Sequence, residues 1–216
     1  MDRFDLSAPK KTWEEPKLIA ICGVKNSGKT TLIEKLLPVL TRQGLLVAVI
    51  KHDGHEFDAD VPGTDSYRHF HAGAYGTAVY SASKMCIVKK ENFLTPGKIS
   101  AFFPEADLIL LEGGKSLSLP KICLLGRRNK TWSEGQNSLE VPAGLCLPSS
   151  GVSQDPEIFV YRGPEVLAYV ADRNMEKNVR ESILKENFDG EQIPIFGFDE
   201  PEMIARRIVE YCQTEI

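Results

Sequence analysis

The chain has 216 residues, a formal net charge of −4, 42% hydrophobic residues and 26% charged residues. That length accommodates one large α/β domain, and that composition is typical of a folded globular protein. The acidic balance argues against non-specific nucleic-acid binding, and no apolar run approaches the roughly 20 residues of a membrane-spanning helix. We therefore expect neither a nucleic acid nor a membrane as a partner.

The start of the chain and its cysteines predict a cytoplasmic protein. Residues 1–16 are charged, contain two prolines and lack the apolar core of a signal peptide, so we expect a flexible lead-in to a single domain over 17–216. The five cysteines are scattered without a C-x-x-C pair, which is typical of buried, reduced thiols. A zinc or disulfide framework is therefore not expected.

A phosphate-binding motif lies between an apolar run and a helical repeat. Residues 23–30 spell G-V-K-N-S-G-K-T, which matches the Walker A pattern G-x-x-x-x-G-K-[ST]. The apolar run 18–22 is typical of a strand buried in a parallel sheet, and leucines spaced by three and four residues after the motif are typical of an amphipathic helix. We therefore predict an α/β fold of the P-loop NTPase type, with a mostly parallel sheet flanked by helices on both faces.

Each residue type in this loop has an expected role. The two glycines let successive backbone amides turn toward one phosphate, and the following helix directs its positive end at the same anion. Lys29 reaches the outer phosphates, and the Thr30 hydroxyl is placed to ligate magnesium. The predicted phosphate-binding residues are Gly23, Lys25, Asn26, Ser27, Gly28, Lys29, Thr30 and Thr31.

A second apolar run ends in an acidic residue. Residues 108–111 are followed by Glu112 and two glycines, the Walker B layout in which a buried strand delivers a carboxylate beside the phosphate loop. Glu112 is therefore predicted to hold magnesium directly or through water, whereas Asp107 lies at the strand entry. The alternative is a glutamate that only begins a turn.

Titratable residues cluster after a third apolar run, 45–50. Residues 51–60 read K-H-D-G-H-E-F-D-A-D, and all four histidines fall between positions 52 and 71. Ligands of open α/β sheets bind outside the carboxyl ends of the strands, where this cluster is expected. Thr64 is a plausible N-cap of a short helix that follows.

The rest of the chain gives weaker signals. We expect a hairpin over 77–88, late strands near 158–160 and 193–196, and a closing helix over 200–211. Residues 129–151 are rich in Gly, Ser and Pro, so 129–192 is predicted as an insertion or a small lobe. The guanine-reading signature N-K-x-D is absent, because Asn129-Lys130 is followed by Thr-Trp, and the preference for GTP or ATP therefore cannot be derived from these residues.

Four stretches together resemble the molybdopterin-guanine dinucleotide biosynthesis protein B (MobB) family. They are GVKNSGKTTLIEKLLPVL, VAVIKHDGHEFDADVPGTDSYRHFHAGA, DLILLEGGK and PKICLLGRR. The block K-H-D-x-H-x-F-D-x-D-x-P-G-T-D-S is far more specific than Walker A, because other phosphate-loop kinases do not carry it. The resemblance covers about residues 17–128 and returns in the last helix; Gly114 departs from it, since the family pattern E-G-F-K has phenylalanine there.

The resemblance implies a homodimeric GTP-binding protein with weak Mg²⁺-dependent GTPase activity. Such a protein would assist the partner molybdopterin guanylyltransferase and other molybdenum cofactor proteins in attaching GMP to molybdopterin. GTP and Mg²⁺ are the implied cofactors, and molybdopterin is a further candidate ligand. Residues 23–31 would hold the phosphates, Thr30, Glu112 and Asp53 would manage magnesium, and Lys29 and Asp53 are the candidate catalytic residues.

The resemblance also implies that residues 51–68 form a loop that senses the nucleotide or meets molybdopterin. Its candidate residues are Lys51, His52, His55, Asp58, Asp60, Thr64, Asp65, Ser66 and Arg68. A solvated loop with ordinary hydrogen bonds is the plainer alternative. A transition-metal site on His52 and His55 is a weak one, because two histidines on a glycine-containing loop make a poor ligand set.

Two other functions stay open at this point. A small-molecule kinase could use the same loop with ATP or GTP, with Arg127, Arg128 and Lys130 in a mobile lid. A pure assembly scaffold could use its nucleotide only to lock a dimer.

Overall fold

The computed structural model describes residues 13, 15–53, 57–92, 95–127, 158–159, 165–171 and 193–214. They belong to two compact units, a smaller one over Asp53–Phe102 and a larger one over Pro9–His52 and Phe103–Ile216. The elements in chain order are β1 (Lys17–Cys22), α1 (Lys29–Arg42), β2 (Val47–Lys51), α2 (Asp65–His71), β3 (Gly76–Tyr80), β4 (Met85–Lys89), α3 (Pro96–Ser100), β5 (Leu108–Glu112), β6 (Lys121–Leu124), β7 (Gly126–Arg127), β8 (Ile158–Phe159), β9 (Val166–Ala171), β10 (Ile195–Gly197) and α4 (Pro201–Thr214).

A six-stranded parallel sheet forms the centre of the larger unit. Its strand order is β10-β9-β6-β1-β5-β2, and every neighbouring pair is parallel. The middle strands are apolar along their length because both of their faces are covered, as expected for a parallel sheet. The predicted α/β class with a mostly parallel sheet is confirmed.

Alternate residues of β1 enter two separate cores. Ile19 and Ile21 pack with α1 and α4 in the main core, which includes Leu32 and Ile204. Ala20 and Cys22 point the other way, into a second core with residues of β6 and β9. Both cores are fully closed to solvent around β1, so the loop that follows this strand starts from a rigid support.

The register of three strands aligns the ends that carry the predicted motifs. Ile21 in β1 pairs with Glu112 in β5, and Lys51 in β2 pairs with the same glutamate. The strands are parallel, so these residues lie side by side at the carboxyl edge of the sheet. Glu112 therefore lies beside Ile21, two residues before the glycine loop begins at Gly23. In sequence, Glu112 and Gly23 are about ninety positions apart.

Asp107 holds the amino ends of the strands, at the opposite end of the sheet from Glu112. Its carboxylate accepts a hydrogen bond from the Leu46 amide at 2.7 Å, and its carbonyl accepts one from Trp13 Nε1 at 2.9 Å. Trp13 is 7% exposed and belongs to the main core, although it falls within the predicted lead-in. The chain is thus attached to the sheet before β1 begins.

Two parts of the sequence-based description change. The strand expected in the apolar run 45–50 is β2, Val47–Lys51. Strand β9 was not predicted at all: it lies inside the segment 129–192 and yet runs between β6 and β10. Most of 129–192 lies outside the described residues, and the predictions of a single domain and of an insertion stay predictions.

The smaller unit contains the predicted hairpin and capped helix. Strands β3 and β4 pair antiparallel from Gly76 and Lys89 to Tyr80 and Met85. The Thr64 hydroxyl accepts the Tyr67 amide at 3.4 Å at the start of α2, as predicted for an N-cap. Within the described residues, no helix is both long and apolar enough to span a membrane.

Candidate nucleotide-binding site

The glycine loop between β1 and α1 has the backbone shape of an anion cradle. Asn26 and Gly28 have positive φ angles of 61° and 89°, so the chain curls just before the first helical residue. Every residue of α1 is described, and its first turn contains no acidic side chain and no side-chain cap. The amides and the positive end of this helix are therefore left for a negative ligand.

The Ser27 hydroxyl is a polar atom of this loop that the described residues do not satisfy. Its oxygen is buried and lacks a hydrogen-bond partner among them. A Cβ atom on Gly23 would lie 2.5 Å from that oxygen, so the hydroxyl folds across the start of the loop, where only glycine leaves room for it. A buried hydroxyl of this kind usually finds its partner in a bound ligand or water.

Lys29 closes the loop through two backbone carbonyls. Its Nζ donates to the Val24 carbonyl at 2.7 Å and to the Gly23 carbonyl at 3.3 Å. Burial lowers the pKa of Lys29, Glu112 opposes that shift, and the positive charge of Lys115 adds to it. The ammonium group of Lys29 therefore lies near both the negative charge of Glu112 and the positive charge of Lys115.

Thr30 and Glu112 meet beside the loop. The Thr30 hydroxyl donates to Glu112 Oε1 at 2.8 Å, so the structure brings together the two residues predicted to manage magnesium. One hydroxyl and one carboxylate are hard oxygen donors, which fit Mg²⁺, an ion that keeps several waters and takes phosphate oxygens for the rest. Among the described residues, no group of three or more His, Cys, Asp and Glu could hold a metal ion, so they show no all-protein metal cage.

Positive charge exceeds negative charge around this pair. Lys51 neighbours Glu112 in the sheet register, and Lys51 and Lys115 both lie near enough to Lys29 to lower its pKa. Three lysines and one carboxylate thus lie close together at this end of the sheet, and this excess of positive charge favours a polyanion. Sequence analysis did not single out Lys115; its position three residues after Glu112, on the same loop, was the available signal.

Two glycines hold the loop that follows Glu112. Gly113 has φ +107°, and its carbonyl accepts a hydrogen bond from Cys22 Sγ at 3.1 Å. Burial raises the pKa of Cys22 to about 11, so the thiol keeps the proton that it donates. Gly114 has φ +70°, and a Cβ there would approach Leu111 and Leu117 to 2.8 and 2.9 Å. The departure from the E-G-F-K pattern thus matches a position where this backbone leaves no space for a side chain.

The predicted switch loop divides between the two units. Lys51 and His52 belong to the larger unit, Asp53 begins the smaller one, and His55 lies outside the described residues. The metal and catalytic roles predicted for Asp53 stay predictions, as does the metal site on His52 and His55. Of the basic residues considered for a kinase lid, only Arg127 is described, in strand β7, and the structure leaves this role untested.

The remaining residues of that loop form a local hydrogen-bonded turn. Asp60 Oδ1 accepts the Val61 amide at 2.8 Å and the Thr64 hydroxyl at 3.2 Å. The Ser66 hydroxyl is the largest cause that lowers the pKa of the Asp60 carboxyl. Two further contacts complete the turn. Asp58 Oδ1 accepts a hydrogen bond from the Asp60 amide at 3.2 Å, and Arg68 forms an ion pair with Asp65 at 3.7 Å.

A family comparison identifies related sequences. The family model of molybdopterin guanine dinucleotide synthesis protein B (MobB) matches residues 18–141. The molybdopterin-guanine dinucleotide biosynthesis adapter protein of Haemophilus influenzae is 36% identical over 121 residues, which are 53% of this chain and 65% of that protein. The adapter protein of the same name from Escherichia coli is 36% identical over 115 residues, 50% of this chain and 64% of that protein. The match thus spans slightly less than two thirds of each relative.

Solved structures share the fold. The crystal structure of Bacillus subtilis MobB superposes with a TM-score of 0.56 at 25% identity, covering 90% of this chain and 96% of that one. A MobB homologue from Bacillus stearothermophilus gives a TM-score of 0.51 at 20% identity, covering 91% and 98%. At that level of identity the second likeness concerns the fold alone.

Replacing Gly28 by alanine should weaken nucleotide binding. Gly28 is held at φ +89°, which costs an L-residue about 1–2 kcal/mol, and the added Cβ would lie 2.6 Å from the Phe198 ring. Either the loop or the Phe198 ring would have to shift, and the left-handed backbone would be strained in either case, so we expect GTP affinity in isothermal titration calorimetry to fall by about tenfold or more, since 1.4 kcal/mol is one factor of ten.

Gly44→Ala is the matched control for that substitution. Gly44 has φ +80° but no atom within 4 Å of an added Cβ, so it costs the same backbone strain without a collision. This variant should unfold at a lower temperature and bind GTP as the wild-type protein does. Wild-type affinity in Gly28→Ala would contradict the role given to this loop.

Proposed function

Because the chain belongs to the MobB family, molybdopterin guanine dinucleotide synthesis protein B, we propose that it is a GTP-binding accessory protein of molybdenum cofactor biosynthesis. It would assist a guanylyltransferase in attaching GMP to molybdopterin, with weak Mg²⁺-dependent GTPase activity of its own. The family model covers more than half of the chain, and two relatives are named as adapter proteins for this dinucleotide. The single structural observation that supports the proposal best is the contact between Thr30 and Glu112 beside the glycine loop.

The loop residues would act on the phosphates by exchanging partners. Lys29 would release the carbonyls of Gly23 and Val24 and turn its ammonium group to the outer phosphate oxygens. Loop amides and the Ser27 hydroxyl would donate to the same anion. Thr30 and Glu112 would hold Mg²⁺, which supplies charge neutralisation on the phosphates when bound.

Slow hydrolysis is part of the proposal because the resemblance to the family implies only weak GTPase activity. The lysine excess around Glu112 favours binding of the triphosphate. A partner transferase would then meet a nucleotide-loaded protein, and molybdopterin, which carries a phosphate, suits the same positive surroundings. A small-molecule kinase would differ by forming a phosphorylated acceptor, which mass spectrometry of the products would detect.

Replacing Glu112 by glutamine should weaken binding of GTP only when magnesium is present. The amide keeps the size of the side chain but removes the negative charge that the ion needs, so we expect Mg²⁺-GTP affinity to fall by about 10- to 100-fold. Titration with GTP, with and without Mg²⁺, measures this effect. Glu105→Gln, a change of an exposed glutamate in the turn before β5, is the control and should behave as the wild-type protein does. Unchanged Mg²⁺-dependence in Glu112→Gln would remove this residue from the metal site.

Replacing Lys29 by alanine should stop cofactor maturation in cells. The substitution removes the cation that bridges loop and phosphates, so a protein whose nucleotide is needed for function becomes inactive. Chromatography of molybdopterin guanine dinucleotide from cells with the variant in place of the natural gene measures the outcome. Lys98→Ala, an exposed lysine of α3, is the control. Substantial maturation with Lys29→Ala would instead support the scaffold interpretation.

The homodimer is part of the proposal and has a candidate surface on the hairpin. Tyr80, Met85 and Ile87 project from one face of strands β3 and β4, where they are 82%, 66% and 45% exposed. A two-stranded hairpin is marginal alone in water, and contiguous exposed apolar side chains indicate an interaction site. We propose that a second copy of the chain covers this face.

Charged substitutions on that face should dissociate the dimer. The double variant Tyr80→Asp and Met85→Glu would place two carboxylates in an apolar contact, so sedimentation should show monomers where the wild-type protein is dimeric. Lys84→Glu, in the turn between the strands, is the control and should leave the dimer intact. A double variant that still sediments as a dimer would place the interface elsewhere.

A further inference from the structure

An aromatic residue from a distant strand reaches the phosphate loop. Phe198 follows Gly197, the last residue of β10, at the same carboxyl edge of the sheet. Strands β9 and β6 separate β10 from β1, a span of about 14 Å at the usual strand spacing. Nevertheless, Phe198 Cζ lies only 2.6 Å from the position of a Cβ atom on Gly28. The segment after β10 therefore bends across the sheet edge to the loop.

Phe198 is held in this place by Lys35 of α1 and by a turn that Gly197 and Glu200 close around it. Lys35 of α1 donates from Nζ to the Phe198 carbonyl at 3.1 Å, and its charge lies 5.4 Å from the ring centre. Glu200 accepts the Gly197 amide at 2.5 Å and so closes the turn. The ring is only partly buried against the main core, and it lies beside Gly28 of the loop. An aromatic surface fixed in advance binds a flat ligand with little ordering cost.

The two sides of the phosphate loop differ in chemistry. On the β5 and β2 side lie Glu112, Lys51 and Lys115, which suit a metal ion and the outer phosphates. On the β10 side lies Phe198, which suits a planar, uncharged group. A nucleotide laid across the loop is thereby oriented, with its triphosphate end toward β5 and its base toward β10.

We infer that Phe198 is the base-contacting residue of the nucleotide site, with its ring packed against the purine. This inference rests on the proposed function, because it requires that the loop binds a nucleoside triphosphate. It adds the part of the site that the glycine loop cannot supply, since the loop recognises only phosphate. It also gives the late strand β10 a role in ligand binding beyond completion of the sheet.

Two ligands separate base contact from phosphate contact. GTP carries both parts, whereas inorganic tripolyphosphate carries the phosphates without a nucleoside. In Phe198→Leu we expect GTP affinity, measured by calorimetry with Mg²⁺, to fall by about tenfold, within the range found for loss of base stacking. Tripolyphosphate affinity should stay at the wild-type value, and Phe198→Tyr, which keeps the ring, should keep the wild-type GTP affinity.

Phe196→Leu is the matched control. Phe196 packs against the main core two residues earlier in the same segment, so the same substitution there should lower the unfolding temperature without changing the ratio of GTP to tripolyphosphate affinity. An equal loss for both ligands in Phe198→Leu, no loss for GTP, or a loss for GTP in Phe198→Tyr as large as in Phe198→Leu would overturn the inference alone. Failure of the wild-type protein to bind either ligand would overturn the proposed function, and the inference with it.

Discussion

The register between β1 and β5 is the constraint on which the candidate site depends. Pairing of Ile21 with Glu112 decides that the carboxylate emerges beside the first helical turn, where Thr30 donates to it. Because side chains alternate along a strand, a slip of one residue would point the Glu112 side chain into the apolar core on the other face of the sheet. A leucine would then take its place beside Thr30. The acidic residues at the two ends of β5 oppose such a slip, because it would break the contact of Asp107 with the Leu46 amide and that of Glu112 with Thr30. The pairing of two strands thus sets the position of a polar contact.

The electrostatics of the site follow from the same alignment. Parallel strands bring their final residues to one edge, and here those residues include Lys51 and Glu112, with Lys115 on the next loop. The positive charges of Lys51 and Lys115 lower the pKa of Lys29, so the three lysines repel one another. A polyanion relieves that repulsion, so the charge pattern favours occupancy by phosphate without any side chain that reads a base. Base contact then has to come from another part of the sheet edge.

Much of the fold could be predicted because its strongest signals are local. The apolar run before the glycines, the helical spacing after them and the acid at the end of residues 108–111 each specify an element on their own. The contact between Thr30 and Glu112 was likewise foreseeable, since both motifs are defined by their place in one sheet. The cap at Thr64 and the hairpin after it were predicted from residue type and turn chemistry and agree with the structure.

Other features could not be predicted because they depend on distant packing. Strand β9 has no flanking motif, and its six residues become recognisable only by lying between β6 and β10. The proximity of Phe198 to Gly28 joins positions 170 residues apart, and an aromatic side chain after a strand is commonplace in sequence. The burial of Trp13 was missed for a similar reason: its partner is a backbone carbonyl, which no sequence pattern marks.

The two carbonyl oxygens that hold Lys29 tie this side chain to the backbone of its own loop. Lys29 Nζ donates to the Gly23 and Val24 carbonyls, six and five residues earlier at the start of the same loop. These contacts close a ring within residues 23–29, so the lysine stabilises the curvature of the loop to which it belongs. The shape of the loop and its positive charge thus depend on one side chain, and neither can be altered at this position without the other.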